Sequence, residues 1–154
     1  MATSPRISVP IDPLTHRIAL VEDNPADAEM LKVALEQTDF AVEIVVLPDG
    51  AEALKYLTSA TPARPPCDLL ILDLNLPRMN GLEVLEKVRE VDYLKALPVV
   101  VMSGSKNRAE IDRCYALGAN AYVYKSNDLD EIYARAKRLM DFWFDCAKLP
   151  GRNA

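Results

Sequence analysis

The chain has 154 residues, half of them hydrophobic, which is enough to bury one core of ordinary domain size and too few for two. A net charge of −5, no lysine or arginine block and only 6% aromatic residues argue against a nucleic-acid-binding surface. The opening MATSPRISVPIDPLTH lacks the apolar stretch of a signal peptide, and no later run approaches the roughly 20 residues of a membrane span, so the expected setting is cytoplasmic.

Residues 1–16 contain three prolines, which fix φ and remove backbone donors, so an irregular leader is expected there, with His16, the single histidine, as a surface residue. The folded domain is expected over residues 17–144. Its first apolar run, Ile18 to Val21, reads as a strand; a helix then opens at Asn24-Pro25 with Asp27 in its positive first turn and an inward face of Leu31, Ala34, Leu35 and Thr38. A second strand, Val42 to Leu47, leads through Asp49-Gly50 into a helix carrying Ala53, Leu54 and Leu57. The piece TPARPP, Thr61 to Pro66, reads as an exposed connection to a third strand, Leu69 to Leu72. A helix after Gly81 carries Leu82, Leu85 and Val88, and Val99 to Met102 form the fourth strand. The helix Asn107 to Leu117 presents Ile111, Cys114 and Tyr115 and stops at Gly118, a residue suited to a left-handed helix end. After a fifth strand, Ala121 to Tyr124, the last helix repeats Leu129, Ile132, Tyr133, Ala136, Met140 and Trp143 at three- and four-residue steps. Residues 145–154 read as a tail with no output domain. Cys67, Cys114 and Cys146 fit neither a disulfide framework nor a zinc pattern, and each is expected to be a small buried apolar residue.

Near-continuous apolar strands alternating with helices specify an α/β domain with a parallel sheet covered on both faces, and right-handed crossovers make it doubly wound. Ligands bind such sheets beyond the carboxyl ends of the strands. Glu22 and Asp23 stand past the first strand, Asp73 past the third, Ser103 past the fourth and Lys125 at the end of the fifth. Gathered carboxylates repel one another unless a hard dication joins them, and magnesium, an octahedral oxygen binder that keeps open positions, is the natural occupant. Asp23 and Asp73 would bind it directly, the Asn75 backbone carbonyl would add an oxygen, and Glu22 would act through water. Phosphoryl transfer depends chiefly on positioning and charge neutralisation, so Asp73 is the candidate nucleophile, with Lys125 and Ser103 each holding a phosphoryl oxygen. Asn75 offers no second acid two residues on, so the chemistry should halt at a phospho-aspartate. Asp49, Asp68, Asp128 and Asp130 read as turn and cap residues.

The stretches LVEDNPAD, LLILDLNLPRMNG, VVVMSGS and AYVYKS closely resemble the response-regulator receiver family of two-component signalling, over roughly Arg17 to Met140. The resemblance implies the flavodoxin-like sheet of strand order 2-1-3-4-5 with five helices. It also implies that Glu22 and Asp23 are the metal-binding acid pair and Asp73 the phosphoacceptor, that Ser103 is the switch hydroxyl and Tyr122 the aromatic switch, and that a histidine kinase is the phosphodonor. Ser126 follows Lys125 where the family usually has a proline in a cis peptide, a geometry that costs a non-proline residue about 2.5 to 4 kcal/mol. That Lys-Ser pair, with Phe142-Trp143 and Leu149-Pro150, resembles the small regulators that partner bacterial phytochrome kinases. A receiver of another pathway, a chemotaxis switch or phosphorelay intermediate, would share the same site. A magnesium-dependent phosphatase with an Asp nucleophile would want an acid at Asn75, and a flavin carrier would want a phosphate loop at Glu22-Asp23. Phe142, Trp143 and Phe144 point in three directions about 100° apart, so one core can hardly bury them all. With Tyr122 and Tyr124 they lead to an expected homodimer through the fourth helix, fifth strand and fifth helix.

Overall fold

The computed structural model describes residues 15–59 and 65–150. Most of the leader and most of the TPARPP connection lie outside the described residues. The elements run β1 (His16–Val21), α1 (Pro25–Glu36), β2 (Val42–Leu47), α2 (Gly50–Leu57), β3 (Leu69–Asp73), α3 (Gly81–Glu90), β4 (Val99–Ser103), α4 (Arg108–Ala116), β5 (Ala121–Tyr124) and α5 (Leu129–Asp141). The five strands are parallel in the order β2-β1-β3-β4-β5, the expected doubly wound, flavodoxin-like sheet.

Strand alternation divides the core into two layers. Ile18, Leu20, Leu69, Ile71, Val100 and Met102 face α1 and α5, where Ala28, Ala34, Leu35, Ala136 and Met140 cover them. Their neighbours Ala19, Val21, Leu70, Leu72, Val99 and Val101 face the opposite way, onto Ala53 and Leu57 of α2, Val84, Leu85 and Val88 of α3 and Cys114 of α4. The inner strands β3 and β4 are buried along their whole length, while the edge strands β2 and β5 are only half covered. Each of α1 to α5 opens on an Asn or Asp whose side chain accepts a backbone N–H of the first turn: Asn24, Asp49, Asn80, Asn107 and Asp128. These bonds satisfy donors that a helix start would otherwise leave bare, and they fix each helix at the carboxyl side of the sheet.

Arg89, near the end of α3, joins three segments. Its guanidinium donates to the carbonyls of Leu94 at 2.8 Å and Leu97 at 2.9 Å before β4, and to Gly118 at 2.7 Å after α4. Gly118 has φ +102°, and a Cβ there would lie 2.9 Å from Arg89 Nε, so both its backbone and its neighbour require glycine.

Four expectations are corrected. His16 is the first residue of β1 and not part of a leader; its ring stacks on Phe144 at 4.0 Å and meets Phe40 edge-on. Tyr115 is 50% exposed, because Ile111 and Cys114 already fill the sheet-facing stripe of α4; its hydroxyl instead accepts the Tyr122 N–H at the open edge of β5, at 3.1 Å. Leu129, at the first position of α5, precedes the stripe that meets the sheet and is exposed. Cys67 and Cys114 are buried as expected, and burial pushes their thiols up to about 12 and about 11, but Cys146 is exposed on the π-helical turn Phe142–Cys146 that follows α5. Among the described residues, no helix is long and apolar enough to cross a membrane.

Candidate functional site

The parallel register brings the strand ends level, with Asp73 opposite Met102 and Ser103 opposite Tyr124. Asp73 and Ser103 are the last residues of their strands, one position earlier relative to the strand end than the sequence suggests. Glu22 follows β1 and Lys125 follows β5. Asp73 can reach the rim because α3 begins on Gly81, where a Cβ would collide with the Asp73 carbonyl and lie 2.7 Å from Leu74 Cα.

Glu22, Asp23 and Asp73 converge, each offering a carboxylate oxygen within 4.8 Å of the others. Glu22 and Asp73 are buried and Asp23 is exposed. The Lys125 ammonium bridges the two buried acids, 2.5 Å from Glu22 Oε2 and 3.0 Å from Asp73 Oδ2. The remaining oxygens take backbone donors: the Asn24 N–H donates to Glu22 Oε1 and the Asn75 N–H to Asp73 Oδ1, both at 3.2 Å. Burial pushes the Glu22 carboxyl above its ordinary range; the Asp73 charge adds to this, and the hydrogen bonds from Lys125 and Asn24 oppose it. Burial pulls Lys125 down, but its bonds to Glu22 and Asp73 outweigh that, and its net shift is upward.

Ser103 is fully buried, and its Oγ accepts the Ser105 N–H at 3.2 Å. The Tyr122 hydroxyl donates to the Ser105 carbonyl at 2.7 Å. The loop after β4 therefore connects the serine and the tyrosine. Tyr122 is half-buried and meets Tyr124 edge-on, with ring centroids 5.9 Å apart. Asn75 is exposed at the rim, and its known tie to the cluster is the amide bond to Asp73.

Three clustered carboxylate oxygens beside neutral backbone groups form a donor set suited to a hard divalent cation. Asp27, read from the sequence only as a first-turn acid, also belongs here: its carboxylate lies 3.7 Å from Lys125 Nζ. A cavity of about 180 Å³ extends from these groups between α1 and α5, over Met30, Leu31, Met102 and Ile132. Asp49 and Asp128 are caps as expected, and Asp68 accepts the Arg17 N–H at 2.8 Å.

The chain is similar to known proteins in sequence and fold. The chain is 33% identical to the response regulator Rcp1 of Synechocystis sp. over 135 residues, 86% of this chain and 92% of that protein. The crystal structure of the phosphorylated cyanobacterial phytochrome response regulator RcpA superposes with a TM-score of 0.82 at 38% identity, covering 89% of this chain and 99% of that one. The Mn(2+)-bound form of Rcp1 gives 0.79 at 33% identity, covering 88% and 99%. Residues 18–137 match the response regulator receiver domain, and that span holds every strand end of the acid cluster, so the chain belongs to the response-regulator receiver family.

Proposed function

We propose that the protein accepts a phosphoryl group from a histidine kinase onto Asp73 and passes the signal on by protein contact. The observation that carries this reading is the Asp73 carboxylate itself, buried at a strand end, one oxygen on the Lys125 ammonium, beside Glu22 and Asp23. Magnesium is the proposed metal, held by Asp23, Asp73 and the Asn75 carbonyl with Glu22 acting through water; when bound, it neutralises charge on the transferring group. The chain's own residues do the rest. An Asp73 oxygen forms a bond to phosphorus as the bond from phosphorus to the kinase imidazole breaks. Lys125 moves from carboxylate to phosphoryl oxygen, and the Ser103 hydroxyl donates to a second. When Ser103 turns toward the phosphoryl group, the Ser105 loop moves with it and Tyr122, bonded to that loop, follows; this couples the site to the β5 face.

A phytochrome-type kinase is the proposed donor, in a cytoplasmic setting, on the strength of likeness to RcpA and Rcp1. The proposed working form is a homodimer through α4, β5 and α5. Short-time phosphotransfer from purified autophosphorylated kinases tests the pathway. The expected result is magnesium-dependent transfer, fastest from a chromophore-binding kinase. Faster transfer from kinases without a chromophore would assign the receiver to another pathway.

A further inference from the structure

Asp27 belongs to the site by geometry, though it sits at no strand end. The ammonium of Lys125 lies within ion-pair distance of three carboxylates: Glu22 at 2.5 Å, Asp73 at 3.0 Å and Asp27 at 3.7 Å. The first two belong to the acid cluster; Asp27 does not. Lysine and a divalent cation therefore compete for the same oxygens, and two cations cannot share them closely without strong repulsion. A metal entering the cluster has to displace the ammonium from Glu22 and Asp73. Where the lysine goes then affects how tightly the metal binds.

We propose that Asp27 is a positioning residue that receives the Lys125 ammonium as the metal enters, so that metal affinity depends on Asp27 through Lys125; this rests on the metal reading of the proposed function. Asp27 is the remaining carboxylate already in reach of Nζ. Its position is fixed by the first turn of α1, where its own N–H donates to Asn24 Oδ1 at 3.2 Å, so the carboxylate stays beside the site with no loop movement. At 48% side-chain exposure it tolerates either partner, the lysine or water, which suits a group that takes over an ion pair during binding.

Calorimetric titration with magnesium alone tests this in five proteins: wild type, Asp27→Asn, Asp27→Glu, Lys125→Ala and the Asp27→Asn/Lys125→Ala double variant. Asp27→Asn should weaken binding about two- to fivefold, the range an ion pair of this exposure commands. Lys125→Ala should tighten binding, because the competing cation is gone. In the Lys125→Ala background, Asp27→Asn should change nothing, and Asp27→Glu in the wild type should restore part of the loss. An unchanged affinity in Asp27→Asn, or an equal loss in both backgrounds, overturns the proposal while leaving the metal site standing. A wild type that binds no magnesium overturns the metal reading and the proposal with it.

Discussion

Glu22 is 6% exposed, and both its burial and the Asp73 charge beside it disfavour its ionised form. Its folded pKa is raised above the ordinary 4.5, so the folded state holds this proton more tightly than the unfolded chain does. The resulting stability is fully present below 4.5 and is lost as pH rises through the raised folded value. Glu22→Gln, which mimics the protonated form, should therefore gain stability relative to the wild type as pH rises from 4.5 toward neutral in chelator. Thermal unfolding across that range checks this, and parallel curves for the two proteins would contradict it. Lys125 follows the same sign in a different window: its raised pKa gives stability that is present below 10.5 and is lost only at more alkaline pH. At this scale the acids and Lys125 were legible because each stands at the end of an apolar strand. Asp27 was not, since a first-turn acid has a sufficient local explanation in the helix dipole. Tyr115 fitted a helical stripe by spacing, but the small Cys114 one position earlier is what packs on the sheet.

The helices were legible to within about two residues because each opens on Asn or Asp, and four carry Glu three positions later. Arg89 gave no such signal, because its partners are backbone carbonyls, which every residue has. Replacing it with methionine leaves the carbonyls of Leu94, Leu97 and Gly118 without this donor. The expected loss is about 3 kcal/mol, measured by urea unfolding, and a change under about 1 kcal/mol would show that water replaces the guanidinium. Gly118→Ala should cost about 1 to 2 kcal/mol from its left-handed backbone and its contact with Arg89. In the Arg89→Met background the contact share of that cost should fall while the backbone share remains, so the two substitutions should not add.

For the molecule as a whole, the alternation of strand and helix led to the sheet, and the structure adds how the chain end is held. Phe144 stacks on His16 and lies 6.1 Å from Phe40, so one of the three successive aromatics braces the start of β1. Sequence reading placed His16 in the leader and could not see this, because the contact joins opposite ends of the chain. Phe142 remains 52% exposed and Trp143 is half-buried. If the proposed homodimer uses this end, Phe142→Ser should shift sedimentation toward the monomer and leave thermal stability nearly unchanged, since an exposed side chain supports little of the fold. Truncation after Met140 should shift sedimentation and also lower thermal stability, because it removes Phe144 from its stack on His16. A wild type that stays monomeric at high micromolar concentration, phosphorylated or not, would remove the dimer.

Asp73 is the proposed acceptor of the phosphoryl group, and intact-mass spectrometry after incubation with acetyl phosphate and magnesium reads this directly. The wild type should gain the mass of one phosphoryl group, map it to the peptide containing Asp73 and lose it in mild base. Asp73→Asn, with unchanged circular dichroism, should gain nothing, and chelator should abolish the wild-type adduct. A phosphoryl adduct of the same lability on folded Asp73→Asn would contradict the assignment.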